Sequence, residues 1–244
     1  MAASKKILLP KQHGAWAMLL IPFLLGASRG GFSWLQIPCF IGWLLLYLST
    51  YPLLMALKIK KNKVYISWFY RYFSGAIVLL CIPLFFHIEL IYFGLAMIPF
   101  FFINVYFAKK KKDRAFMNDV AAIAVFCIGG LVSFYLGKGE LTITAFKLYT
   151  SCLLFFIGST FYVKTMIREK KNIRFKWYSW GYHVVLIIFL IFSGYAILTL
   201  AYIPSVIRAF FLYGHSLPIK TIGVLEIINA VYFFIAMLAL YSAI

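Results

Sequence analysis

The chain has 244 residues, of which 64% are apolar, 20% aromatic and only 12% charged, and it carries a net charge of +18. A soluble domain of this size is about 45–50% apolar and roughly a quarter charged. The polar residues here are too few to wrap a water-soluble globule, so a soluble enzyme and a disordered chain are both excluded. At about 20 residues per helical span, the chain holds at most about nine transmembrane helices and almost nothing outside the bilayer.

The first apolar run, about 14–28, follows a basic start containing Lys5, Lys6 and Lys11. It imitates a secretion signal, but Leu25-Gly26-Ala27 is a poor cleavage site and eight further runs follow, so an uncleaved span is expected. At its mouth stands Pro10-Lys11-Gln12-His13-Gly14-Ala15-Trp16. Lys11 and Gln12 are candidates for binding an anion there, and His13 for transferring a proton. The plain alternative is an interfacial anchor in which Gly14 and Ala15 let helices pack closely.

The second and third runs, about 34–57 and 65–86, are joined by Lys58, Lys60, Lys61 and Lys63, with the candidate anion ligand Arg71 just beyond. The fourth, about 88–107, closes on Asn104 and the Lys109–Lys112 cluster; Asn104 and Lys109 are candidate ligands. The fifth, about 116–136, opens on Asn118 and Asp119. These two either cap the helix and complement its dipole, or bind substrate and orient nearby cations, with Asp119 a further proton-transfer candidate.

The sixth run, about 141–163, ends in Ser159-Thr-Phe-Tyr-Val-Lys164-Thr-Met-Ile-Arg168. On a continuous helix Thr160, Lys164 and Arg168 lie four apart and share one face. With Tyr162 nearby, that row sets hydroxyls and two cations at one end of the span. Lys164 is deep enough to need a partner or water, and Arg168 offers a planar fork for phosphate or carboxylate. The alternative is snorkelling to headgroups.

The seventh and eighth runs, about 177–194 and 196–212, blur near Gly194, and the ninth covers about 221–243. Eight spans are the alternative count. Glu226 in the last run is expected to neutralise Arg208 or a cation of the sixth as a structural pair, with His183 and Asn229 as smaller items.

Connections rich in Lys and Arg alternate with poor ones that carry Arg29, then His87 and Glu89, then Lys138, Glu140 and Lys147. That alternation puts the rich loops and the N-terminus in the cytoplasm. The same loops also attract anionic headgroups. Open sheets and barrels are excluded by unpaired backbone and by long, non-alternating runs. Cys39, Cys81, Cys127 and Cys152 have no C-x-x-C spacing and read as packing residues. Nucleotide-binding loops and zinc motifs are absent from the sequence. No cofactor, metal or nucleic acid is expected.

The segments Leu9-Pro-Lys-Gln-His-Gly-Ala-Trp-Ala17 and Phe161-Tyr-Val-Lys-Thr-Met-Ile-Arg-Glu169 resemble the YwiC-like family of bacterial integral membrane proteins over nearly the whole chain. That resemblance implies a multi-pass protein of the bacterial plasma membrane. Tyr106-Phe-Ala-Lys-Lys-Lys-Lys-Asp-Arg-Ala-Phe-Met-Asn-Asp119, with large basic connections after runs two, four and six, is similar more distantly to the UbiA superfamily of intramembrane prenyltransferases. In those enzymes Asp-rich motifs at the ends of spans two and six hold magnesium, which holds an isoprenoid diphosphate.

Here run two ends Leu48-Ser-Thr-Tyr-Pro-Leu-Leu-Met-Ala-Leu-Lys58 without a carboxylate, and run six carries Thr160, Lys164 and Arg168 where acids would stand. An oxygen cage for magnesium cannot be built from those residues, so standard metal-dependent prenyl transfer is unsupported. The expectation is an all-α, UbiA-like bundle forming a single integral membrane domain over residues 1–244. Its cytoplasm-facing basic cavity binds membrane lipid or another anionic amphiphile such as an isoprenoid diphosphate, with or without a metal-independent transferase activity. The rival readings are a small anion or metabolite transporter and a non-catalytic membrane subunit.

Overall fold

The computed structural model describes residues 7–10, 13–59 and 63–240. Each of the nine apolar runs becomes a helix, and no strand occurs among the described residues. In chain order these are α1 (His13–Gly30), α2 (Gln36–Lys58), α3 (Lys63–Phe86), α4 (Leu90–Lys109), α5 (Phe116–Lys138), α6 (Ile143–Val163), α7 (Ile173–Phe192), α8 (Thr199–Phe211) and α9 (Ile219–Leu240). A π-helical turn, Lys164–Arg168, prolongs α6, and one 3₁₀ turn, Ala196–Leu198, leads into α8.

Among the described residues seven helices, α2 to α7 and α9, are long and apolar enough to cross a membrane. That is fewer than the nine or eight spans expected from composition. The shorter apolar segments are Gly14–Gly30 and Ala196–Phe211. At 1.5 Å per residue, the 13 residues of α8 reach only about 20 Å, against roughly 30 Å of hydrocarbon. The division between the seventh and eighth runs falls at Gly194, whose φ of +83° turns the chain in a conformation other residues rarely adopt.

The organising helix is α5, which lies between α1, α2, α4 and α6. It meets α1 backbone to backbone. A Cβ at Gly26 would collide with the Gly130 carbonyl, and one at Gly130 would come within 2.7 Å of the Pro22 carbonyl. Small residues serve this purpose in lipid, where helix association rests on close packing rather than on hydrophobic burial.

One apolar core joins Leu19, Phe23, Cys39, Trp43 and Phe126 from α1, α2 and α5. A second, larger one runs through α1, α5 and α6 to α9 and includes Cys127, Cys152 and Phe155, the last stacked on Phe233 at 3.9 Å. The α2–α3 hairpin and α4 flank the first core, and α7 to α9 flank the second. Phe102 on α4 and Phe192 on α7, 63% and 87% exposed, present the apolar exterior that a lipid solvent covers.

Candidate functional site

The α4–α5 connection follows the last turn of α4, where Lys111 takes a left-handed φ of 55°. It is tied down on both flanks. From the end of α2, Lys58 Nζ meets Asp113 Oδ2 at 2.6 Å. From the end of α6, Lys164 Nζ meets Asp119 Oδ2 at 2.9 Å and donates to the carbonyl of Arg114. Between these pairs, Asn104 Nδ2 donates to the backbone carbonyl and Oδ1 of Asn118, each at 3.0 Å. Asn118 Nδ2 in turn donates to the Asp113 carbonyl at 2.8 Å.

Capping is therefore not what Asn118 and Asp119 do. The N-cap of α5 is the extended Ala115, and both side chains reach away from the helix's own first amides. Asp119 still stands in the first turn of α5, where its charge complements the helix dipole.

The row of Thr160, Lys164 and Arg168 is broken. Glu169 N–H donates to the Lys164 carbonyl at 2.7 Å, five residues back, and this wider turn alters the helical phase. Thr160 and Lys164 are buried while Arg168 is exposed. Thr160 Oγ1 donates back to the Phe156 carbonyl at 2.9 Å. Tyr162 is buried elsewhere, its ring beneath the guanidinium of Arg208 at 4.4 Å. It does not join Lys164.

Of the other expected ligands, Arg71 is exposed on α3, 5.1 Å from the ring of Trp68, and Lys109 is exposed at the end of α4. Lys11 and Gln12 lie outside the described residues, and of His13 only its place at the start of α1 is described. The fold thus brings Asn104, Asn118, Asp119 and Lys164 together and leaves Arg71, Lys109 and Arg168 at the surface. Lys58 and Asp113 complete the layer. Both read in the sequence as ordinary members of basic loops, because their partnership spans 55 positions.

A shallow groove of about 460 Å³ runs beside this layer, walled by Pro99, Phe102, Ile103, Tyr106 and Phe107 of α4 and Met117 of α5. A second of the same size, about 460 Å³, lies toward the other end of α4, between Glu89, Tyr92, Phe93, Ile128, Leu131 and Tyr135. Among the described residues, no three His, Cys, Asp or Glu side chains gather as a metal site would require.

A second polar group lies among α6 to α9. Arg208 Nη1 donates to Glu226 Oε1, the pairing expected for these residues, and Arg208 Nη2 donates to Ser159 Oγ at 2.9 Å. Ser205 and Asn229 hydrogen-bond alongside, at 3.0 Å from Nδ2 to Oγ. His183 Nδ1 donates to the Ser179 carbonyl at 2.7 Å. The sequence signal for this group was Arg208 and Glu226, two opposite charges within apolar runs.

Apolar helices of bilayer length, with their charged pairs gathered near helix ends and between helices, define a polytopic helical membrane protein. The family model described as "YwiC-like protein" matches residues 9–134. The chain is 49% identical over 236 residues to the uncharacterized protein YwiC of Bacillus subtilis, covering 97% of this chain and 98% of that one. It is 36% identical over 235 residues to an uncharacterized protein of Haemophilus influenzae, covering 96% and 99%. The chain belongs to the YwiC-like family. No solved structure matches it.

Proposed function

We propose that this protein recognises an amphiphilic anion, an isoprenoid diphosphate or an anionic lipid headgroup, where α4, α5 and α6 meet. The observation that carries the reading is the apolar α4–α5 groove ending beside a basic connection. The two acids there, Asp113 and Asp119, are already engaged by Lys58 and Lys164. Lys109 to Lys112 and Arg114 belong to the same connection, and Arg168 lies just past α6, as excess positive charge. Phosphate oxygens would rest on these cations, and an apolar tail would lie along Phe102, Tyr106 and Met117.

The reading includes nine spans on a UbiA-like plan, with α1 and α8 crossing a locally thinned bilayer. It places the basic connections and the N-terminus on the cytoplasmic side of a bacterial plasma membrane. The cations grip the anion without bridging metal. In a transfer reaction they would stabilise the leaving diphosphate, with Asp119 and His13 as the groups to move a proton.

Native mass spectrometry of the purified protein tests the reading with four probes: an isoprenoid diphosphate, an anionic phospholipid, a zwitterionic phospholipid and inorganic diphosphate. Retention of the tail-bearing anions and loss of the other two is expected. Equal retention of the two phospholipids, with no preference for either diphosphate, would overturn it.

One observation favours the transporter reading instead. The shortest α-helix among the described residues, α8, carries a buried charge, Arg208, paired with Glu226 of α9, and interrupted helices hold polar groups in this way around transporter sites. Solute uptake by proteoliposomes would discriminate the two.

A further inference from the structure

The polar group among α6 to α9 uses none of the residues assigned to the headgroup site. Arg208 is 6% exposed, yet it carries a full positive charge between apolar helices. Glu226, its side chain 15% exposed, balances that charge. The balance is required, because an uncompensated charge at such a position is costly.

Several buried atoms beside the pair have no hydrogen-bond partner among the described residues: Arg208 Nε, Tyr162 Oη and His183 Nε2. Tyr162 and His183 are each 1% exposed. Since a carbonyl can only accept, His183 Nδ1 must carry its proton toward Ser179, and Nε2 of the neutral ring is left as an acceptor. The Nε–Nη2 edge of Arg208 is a planar fork occupied at one prong, by the Ser159 hydroxyl.

The helix that carries this fork, α8, is set off from its neighbours by turns. Gly194 and Gly214, at φ +83° and +89°, turn the chain on either side of α8. Pro204 interrupts its hydrogen-bond ladder. Its last turn is held to α7 by Trp180 Nε1, which donates to the Ala209 carbonyl at 2.9 Å.

We propose that Arg208 is the centre of a second, intramembrane binding site, for a small monocarboxylate taken up together with one proton. Charge balance dictates the coupling. The pair is neutral overall, so a bare anion would leave the site with a buried negative charge. If the anion brings a proton, that proton goes to Glu226 Oε1, whose hold on Nη1 is released. The carboxylate oxygens then take the Nε–Nη2 edge, with Ser159 and Tyr162 as hydroxyl donors. The site begins and ends neutral, and release reverses each step. A divalent oxyanion would need a second proton, so a monocarboxylate is the matching class.

The charged or titratable groups facing Arg208 are Tyr162 from α6, His183 from α7 and Glu226 from α9. Of these, Glu226 alone carries the negative charge that must be cancelled.

Acetate titrated into the purified protein at several pH values tests the proposal. The apparent affinity should rise about tenfold for each unit of pH lowered, the slope of one linked proton. Glu226→Gln keeps the shape and an acceptor for Arg208, so it should bind acetate with a flat pH profile. Arg208→Lys keeps a charge but removes the fork, and should abolish binding. Absence of acetate binding to the wild-type protein at every pH would overturn the proposal. So would a pH slope that persists in Glu226→Gln, or undiminished binding in Arg208→Lys. None of these results bears on the headgroup site.

Discussion

Lys164, 7% exposed, is held by one carboxylate and one carbonyl. Asp119 is therefore first a structural partner. Asp119→Ala strands a buried ammonium and should lower stability by about 2–3 kcal/mol, read as a lower midpoint of thermal unfolding in detergent. Asp119→Asn, which retains an acceptor, should cost less; equal losses would show that charge rather than hydrogen bonding holds Lys164. Arg168 is exposed with no ion pair among the described residues, so Arg168→Ala should change stability by no more than about 0.5 kcal/mol. Asp119 and Lys164 were each legible in the sequence as polar residues at a span end. Their meeting was not, because it joins two helices 45 positions apart. The same limit hid Asp113, buried within a basic run.

At the scale of elements, hydropathy located all nine helices, since an apolar run in lipid has no alternative to satisfying its own backbone. It could not foresee the π turn at Lys164–Arg168. Periodicity assumes a constant hydrogen-bond register, and a shift to five-residue closure leaves no mark in residue type. For that reason Arg168 parted from Thr160 and Lys164, whereas Tyr162, two residues past Thr160 on the regular part of α6, lies on another face and meets Arg208. The close approach of α1 and α5 was not legible at the right residues: the first run pointed to Gly14 and Ala15, whereas the two backbones meet at Gly26 and Gly130. Gly26→Leu should break that contact and remove the folded species seen by size-exclusion chromatography, since its side chain meets the backbone of Gly130. Gly14→Ala should be tolerated, because a Cβ there meets nothing within 4 Å. A Gly26→Leu protein as stable as wild type would mean that α1 is not fixed against α5.

For the whole molecule, composition established the membrane class; the sequence marked nine apolar runs, of which, among the described residues, seven form helices long and apolar enough to cross a membrane and two are shorter. Reporter fusions after α2, α4 and α6 should all report a cytoplasmic location, and one after α3 should not. A periplasmic signal after α4 would reverse the orientation proposed for the basic face. The measurement that bears most directly on anion recognition is thermal stability with an isoprenoid diphosphate, in magnesium and in EDTA. Ligand at about 100 times its dissociation constant should stabilise the protein by roughly 2.7 kcal/mol in either condition. Replacing Lys109, Arg114 and Arg168 together by Ala should remove that gain without lowering the unliganded midpoint. Stabilisation that vanishes in EDTA, or that survives loss of the three cations, would contradict a metal-free basic site.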